Sequence, residues 1–316
     1  MCWSMIGISA GWTKTTNKME QNAVLWKAAK NIRLIAMDLD GSCLNSAKVV
    51  SPRTKRVIRK LIQKGVEVVP ATGRGFCRLR EDVIGVGGIR YVISGNGAVV
   101  TDGNTGLHLT EHLIPCRAAA SLADELLALR ACVYVHQNDG KSTHIAACRD
   151  AEVLDHCRRE REKGQPDAAP VLKDGLGDFI LNAGQDVVKL GAVFWRFDGF
   201  STLLERLETD YSDIRGFRVD SSSMEFVSRR AGKETALLEL CRHLRIAPEQ
   251  VCAFGDYEND IGMLRMAGIG VAMGNAAETV KQAADTVTKS NDDDGIAEFC
   301  ETYILTERED KECGGM

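Results

Sequence analysis

Residues 33–44 read RLIAMDLDGSCL, an apolar run that breaks into two carboxylates, Asp38 and Asp40, and a glycine, Gly41. The segment 33–37 has the length and composition of a buried strand bounded by turn chemistry. Further along, Ser51 stands as an N-cap, Pro52 in a first helical turn and Gly65 just past a helix end. Between them Val57, Ile58, Leu61 and Ile62 fall on one helical face. A second strand is expected over 66–69, running into Pro70-Ala71-Thr72-Gly73-Arg74, and a third over 91–94, ending at Gly95-Asn96-Gly97. Strands alternating with helices in this way predict a parallel sheet with helices on both faces, a Rossmann-like α/β core.

The middle of the chain departs from that alternation. A helix is expected over 117–130, short strands over 131–136 and 187–195, a helix over 201–209 and a strand near 217–219. The charged, Pro- and Gly-containing stretch 158–177 is expected to be an exposed loop. This pattern suits a smaller inserted α+β domain over 114–218, with Gly216 available to absorb a hinge motion at the second crossing. The alternation resumes with a helix from Lys233 and strands over 250–254, 268–273 and 286–288. The core is therefore expected over 31–113 and 219–306, with residues 1–30 an extension and 307–316 a frayed tail. No internal repeat or low-complexity segment interrupts the chain.

The chain has 316 residues, 44% hydrophobic, enough for more than one folding unit. A formal net charge of −4 offers no basic excess for nucleic acid or an anionic membrane, so a small soluble partner is expected. The 11 cysteines are odd in number and scattered without CxxC pairs, which argues against a disulfide framework or a zinc site and fits a reducing cytoplasm. No uncharged apolar run approaches the ~20 residues of a membrane-spanning helix. The mildly apolar start, 1–12, lacks the basic beginning and long apolar centre of a signal peptide.

Ligands of open α/β sheets bind beyond the carboxyl ends of the strands, where Asp38 and Asp40 stand. On that string alone an ordinary acidic turn remains open. A calcium loop would need Gly at its sixth position and Glu at its twelfth, and Cys43 and Val49 stand there instead. A second acidic cluster, Gly255-Asp256-Tyr257-Glu258-Asn259-Asp260, follows another apolar run. Two such clusters at strand ends of one sheet repel unless a cation neutralises them, and oxygen ligands without Cys or His favour magnesium. Solvated loops are the bland alternative. Thr72 and Lys233 supply a hydroxyl and an ammonium suited to a phosphate, though singly each reads as a cap or a surface lysine. Ser42 and Cys43 have no neighbouring histidine to activate them, His243 falls on the polar side of its helix, and Cys77 reads as packing.

In order, these motifs resemble the haloacid dehalogenase-like hydrolases, specifically the Cof-type phosphatase branch, over about residues 32–300. The resemblance rests on DLDGSCL, VVPATGR, the lysine of RRAGKETALLEL and FGDYENDIGML, with SGNGA at 94–98, KLGAVF at 189–194 and VAMGNAAETVKQAADTVTKSNDDDG at 271–295. Ser42-Cys43 stands where the family usually has Thr-Leu, which keeps a hydroxyl and a small apolar side chain. The resemblance implies a magnesium-dependent phosphatase acting on small phosphate monoesters, sugar phosphates or cofactor-type phosphates, through an aspartyl-phosphate. Asp38 would be the nucleophile and Asp40 the general acid and base. Ser42, Thr72, Gly73, Lys233 and Asn259 would hold the phosphate, and Asp260 would support them. Asp38, the carbonyl of Asp40 and Asp256 would bind Mg2+. The inserted domain would be a cap, with Asn138, Lys141, His144 and Arg196 as polar candidates for selectivity.

A phosphotransferase or mutase would use the same motifs, and a catalytically silent phosphate binder would keep them. A DxD glycosyltransferase leaves Thr72, Lys233 and the second acidic cluster unexplained. The expected partner is a small phosphorylated metabolite, and the expected assembly a monomer or small homo-oligomer.

Overall fold

The first apolar run forms the strand Leu34–Met37, with all four side chains buried. In this computed structural model, which describes residues 18–79, 83–137, 144–162, 171–172 and 174–306, it lies inside a five-stranded sheet. The order is Thr286–Val287, Ile269–Ala272, Val251–Gly255, Leu34–Met37 and Glu67–Pro70, and every pairing is parallel. Such strands are covered on both faces and so read as continuous apolar runs. The helix Pro52–Gln63 is capped by Ser51, whose side chain accepts from the Thr54 N–H at 3.0 Å, and it buries Val57, Ile58 and Leu61 in the core. Helix Lys233–Leu244 contributes Ala236, Leu237, Leu240 and Cys241 to the same core.

The third expected strand, Tyr91–Ser94, belongs to a separate antiparallel sheet with Val99–Asp102 and His108–Glu111. A single parallel bridge, Ala71 to Ile93, joins that sheet to the first. The 3₁₀ turn Gly95–Gly97 that ends Tyr91–Ser94 holds Asn96 in a left-handed conformation, φ 57°, and buries it.

The middle of the chain forms a six-stranded sheet in the order Ile214–Arg218, Ser223–Ser228, Val187–Val193, Cys132–Gln137, His144–Ala147, Val171–Leu172. Its second core packs Leu122, Leu126, Leu190, Phe226 and Ile180. Several expectations need correction here. The stretch 158–177 is not loop throughout: the helix Ala151–Glu162 runs into it, the strand Val171–Leu172 lies inside it, and the helix Leu176–Ala183 begins within it on buried Leu176 and Gly177. Gly177 sits so near Asp124 that a Cβ would meet a carboxylate oxygen, which explains a glycine that reads as a loop residue. The strand Ser223–Ser228 lies between Val187–Val193 and Ile214–Arg218, so the chain remains in this sheet past the expected crossing near 218. Met224 and Phe226 enter the core of this sheet, Val227 packs in a separate cluster with Ala98 and Val188, and Glu225 is partly exposed. Gly216 pairs with Phe226 in mid-strand, and a Cβ there would lie 2.5 Å from Leu207. It serves close packing in a strand rather than a hinge.

The helix Lys18–Ala29 ends the described N-terminus, burying Leu25 and Ala29 and setting Trp26 5.1 Å from the ring of Tyr303. Among the described residues no helix is long and apolar enough to cross a membrane. The frayed tail expected over 307–316 lies outside the described residues.

Candidate active site

Asp38 follows the strand Leu34–Met37, and its N–H still bonds the Phe254 carbonyl at 3.0 Å. The chain then turns tightly: Ser42 and Leu44 donate to the Leu39 carbonyl at 3.2 and 2.8 Å. Gly41 sits at φ +90°, and a Cβ there would fall 2.2 Å from an Asp256 oxygen. This position therefore needs glycine twice over, for its backbone and for the carboxylate beside it. The second cluster arrives on the neighbouring strand, Val251–Gly255.

Lys233 ties the two clusters together. It opens its helix fully buried, and its Nζ donates to Asp38 Oδ1 at 2.7 Å and to Asp260 Oδ1 at 2.6 Å. Burial alone would lower the lysine pKa, but Asp260 and Asp38 raise it above its ordinary value. Asp260 is itself buried, and its other oxygen accepts from the N–H groups of Asp256 and Tyr257 at 3.0 and 3.1 Å. Ser42 donates its hydroxyl to Asp256 at 3.0 Å. Burial pushes the Asp38 carboxyl well up; Lys233 opposes this, while Asp260 and Asp256 reinforce it. Burial and Asp260 likewise raise Asp256.

One oxygen each from Asp38, Asp256 and Asp260 lies within 4.8 Å of the others, a set able to hold a metal ion. Both oxygens of Asp260 already accept from Lys233 and two backbone donors, so Asp38 and Asp256 are the better ligands. Three buried or half-buried carboxylates against one ammonium leave an excess of negative charge. Together with a donor set of oxygens alone, that excess suits a hard divalent cation.

Asp40 points elsewhere. Arg74 grips it with Nε–Oδ2 at 2.7 Å and Nη2–Oδ1 at 2.8 Å, and Lys48 adds a contact at 3.0 Å. Against the burial that would raise it, these two cations hold the Asp40 carboxyl down to about 2. Arg74 stands two residues beyond Thr72, inside a motif already singled out, and its guanidinium is the signal that the sequence reading passed over.

Thr72 is buried beyond Pro70, the register partner of Met37. Its N–H bonds the Ile93 carbonyl at 2.9 Å, and its hydroxyl accepts from the Arg74 N–H at 3.2 Å. Gly73 lies on the amide of Asn96, where a Cβ would stand 2.9 Å from Asn96 Oδ1. Asn259 Nδ2 donates to the same Oδ1 at 3.0 Å. Thus Asp38, Ser42, Lys233, Asp256 and Asp260 form one bonded group, and Thr72, Gly73 and Asn259 gather around Asn96.

The other polar candidates are less informative. Asn138 and Lys141 lie outside the described residues. His144 is placed by its backbone, paired with His136. Arg196 sits over Trp195, 5.6 Å from the ring centroid, at a cavity of about 410 Å³ lined also by Phe194, Phe197 and Ser222. Cys43 is a buried thiol pushed up to about 12 by burial and by Asp38, so it is neutral and inert.

The family described as haloacid dehalogenase-like hydrolase matches residues 35–300. The chain belongs to the haloacid dehalogenase-like hydrolases. Within this family, the phosphatase YwpJ of Bacillus subtilis is 34% identical over 282 residues, spanning 84% of this chain and 98% of that protein. A second Bacillus subtilis relative, the 5-amino-6-(5-phospho-D-ribitylamino)uracil phosphatase YcsE, is 28% identical over 276 residues and spans 87% of this chain and 97% of its own. A solved haloacid dehalogenase-like hydrolase from B. subtilis superposes with a TM-score of 0.72 at 28% identity, covering 87% of this chain and 100% of that one.

Proposed function

We propose that this haloacid dehalogenase-like hydrolase is a magnesium-dependent phosphatase of small phosphate monoesters that works through an aspartyl-phosphate on Asp38. One observation carries the reading: a buried carboxylate at a strand end shares a buried lysine with Asp260 beside a second acidic residue, Asp256. Phosphate monoesters hydrolyse so slowly unaided that accelerations of up to ~10²¹ are required, and a covalent intermediate divides the barrier.

In this mechanism Asp38 attacks phosphorus with the oxygen that Lys233 does not hold. Thr72, the Gly73 backbone, Ser42, Lys233 and Asn259 bind the phosphoryl oxygens. Asp40 is ionised while Arg74 and Lys48 hold it, the state needed to take a proton from the hydrolytic water. To protonate the leaving oxygen in the first step, it must release those cations and accept a proton. Mg2+ would be held by Asp38, Asp256 and the carbonyl of Asp40, and when bound it offsets charge on the phosphoryl group.

The six-stranded sheet serves as the cap. Two hydrogen bonds support this: Tyr257 donates its hydroxyl to the Val219 carbonyl at 3.1 Å and Asn96 donates to Glu225 at 2.8 Å; a Cβ added to Gly75 would also lie within 3.6 Å of His136 Nδ1. The partner is a small phosphorylated metabolite. The test is release of inorganic phosphate from a panel of esters with magnesium and no acceptor alcohol. Turnover only when an acceptor is supplied would make the protein a phosphotransferase instead.

A further inference from the structure

A chain of side chains runs from the six-stranded sheet into the phosphate-binding loops. Lys189, on Val187–Val193, bonds Glu225 Oε1 at 2.5 Å, and both side chains are largely buried. Glu225 Oε2 accepts from Asn96 Nδ2 at 2.8 Å, and Asn96 Oδ1 accepts from Asn259 Nδ2 at 3.0 Å. The direction of this chain is forced. A primary amide has nearly the same shape either way round, so its partners decide which end carries the N–H. A carboxylate only accepts, so Asn96 must turn its NH₂ toward Glu225 and its oxygen toward Asn259. Asn259 must then present its own NH₂ on that side, where the Gly73 loop packs against the same Asn96 amide. One N–H of Asn259 serves Asn96, and the phosphatase reading gives its second N–H to a phosphate oxygen; a reversed amide would offer that oxygen a carbonyl oxygen, and the two would repel. Asn96 can hold its place at φ 57° because asparagine tolerates the left-handed region.

We infer that Glu225 is a positioning residue for the phosphate end of the substrate: acting through Asn96, it fixes the Asn259 amide with its N–H toward the phosphate. This rests on the phosphatase reading. The six-stranded sheet then contributes to phosphate binding itself and not only to selection of the leaving group. Lys189 pairs the Glu225 charge in a place poor in water.

The test measures binding of inorganic phosphate by calorimetry to the full chain in magnesium, which needs no turnover. Glu225→Gln can offer its own N–H to Asn96 and so invert the chain. Its Kd for phosphate should rise about tenfold, the worth of one charge-assisted hydrogen bond. Asn96→Gly keeps the backbone and removes the relay, and should do the same. The double variant Asn96→Asp with Glu225→Gln restores the polarity. The carboxylate introduced at position 96 accepts from Asn259 on one side and from the amide introduced at position 225 on the other, and Lys189 keeps an oxygen partner. This double variant should bind phosphate better than either single variant. With a small aryl phosphate, the single variants should raise KM more than they lower kcat. Unchanged phosphate binding in Glu225→Gln, or a double variant no better than the worse single, overturns the inference. If the parent binds phosphate but releases none from any ester, the phosphatase reading falls while the positioning result still stands or falls on its own binding data.

Discussion

Replacing Lys233 with Met removes the single ammonium that sits between Asp38 and Asp260. The lysine side chain is 1% exposed and its partners 9% and 0%, so solvent replaces almost none of what is lost. Methionine preserves most of the volume, which keeps the cavity term small. What remains is two buried carboxylates without their counter-charge, a loss worth about 3–5 kcal/mol. The pH dependence follows from the sign of the Asp38 shift. Its folded pKa already lies above the ordinary 3.8, and removing Lys233, which lowers it, drives it higher. The native state then binds more protons than the unfolded state, so stability falls as pH rises from the ordinary carboxylate range upward. Urea unfolding of parent and variant at pH about 5 and about 8 should therefore show a deficit that is larger at the higher pH. Added magnesium should recover part of it. A deficit below about 1 kcal/mol at both pH values would refute the buried triad.

Gly41→Ala should remove magnesium affinity and cost about 1–2 kcal/mol, because the left-handed backbone and the 2.2 Å approach to Asp256 both oppose a methyl group; calorimetric titration with magnesium checks it. Arg74→Met leaves Asp40 its contact with Lys48 but removes the stronger hold, so its carboxyl should climb from about 2 part of the way to the ordinary ~3.9 and the acid limb of the pH–rate profile should move up. A profile that stays in place would show that Asp40 does not limit the acid side. Asp256→Asn should weaken magnesium binding at least tenfold while leaving the melting temperature near that of the parent; unchanged metal affinity would remove Asp256 from the metal site.

The core was legible because its signals are local. Ser51, Pro52 and Gly65 mark a helix without reference to anything distant, and the apolar runs expected at 33–37 and 250–254 are the buried strands Leu34–Met37 and Val251–Gly255 to within a residue. The carboxylate clusters were legible for the same reason, since a strand end places both of them. The inserted part was harder. Gly177 reads as a loop residue, yet it lies in a helix where its missing side chain lets the backbone approach Asp124 closely. The strand Ser223–Ser228 is short and buried at all positions but Glu225, and its terminal serines make it read like the neighbouring turn. The links from Arg74 to Asp40 and from Glu225 through Asn96 to Asn259 could not be read at all. They join residues 34, 129 and 163 positions apart, and no spacing rule reaches across such distances.

The claim on which the account turns is that Asp38 is the nucleophile, and Asp38→Asn tests it with the least disturbance. Asparagine keeps the volume, and Lys233 retains Asp260 as its partner. The measurement is release of inorganic phosphate from the best ester of the panel, with magnesium, beside a thermal melt of the same preparation. The variant should be a folded protein whose kcat is down at least ~10³-fold. A folded Asp38→Asn variant retaining more than a few per cent of parental turnover would contradict it.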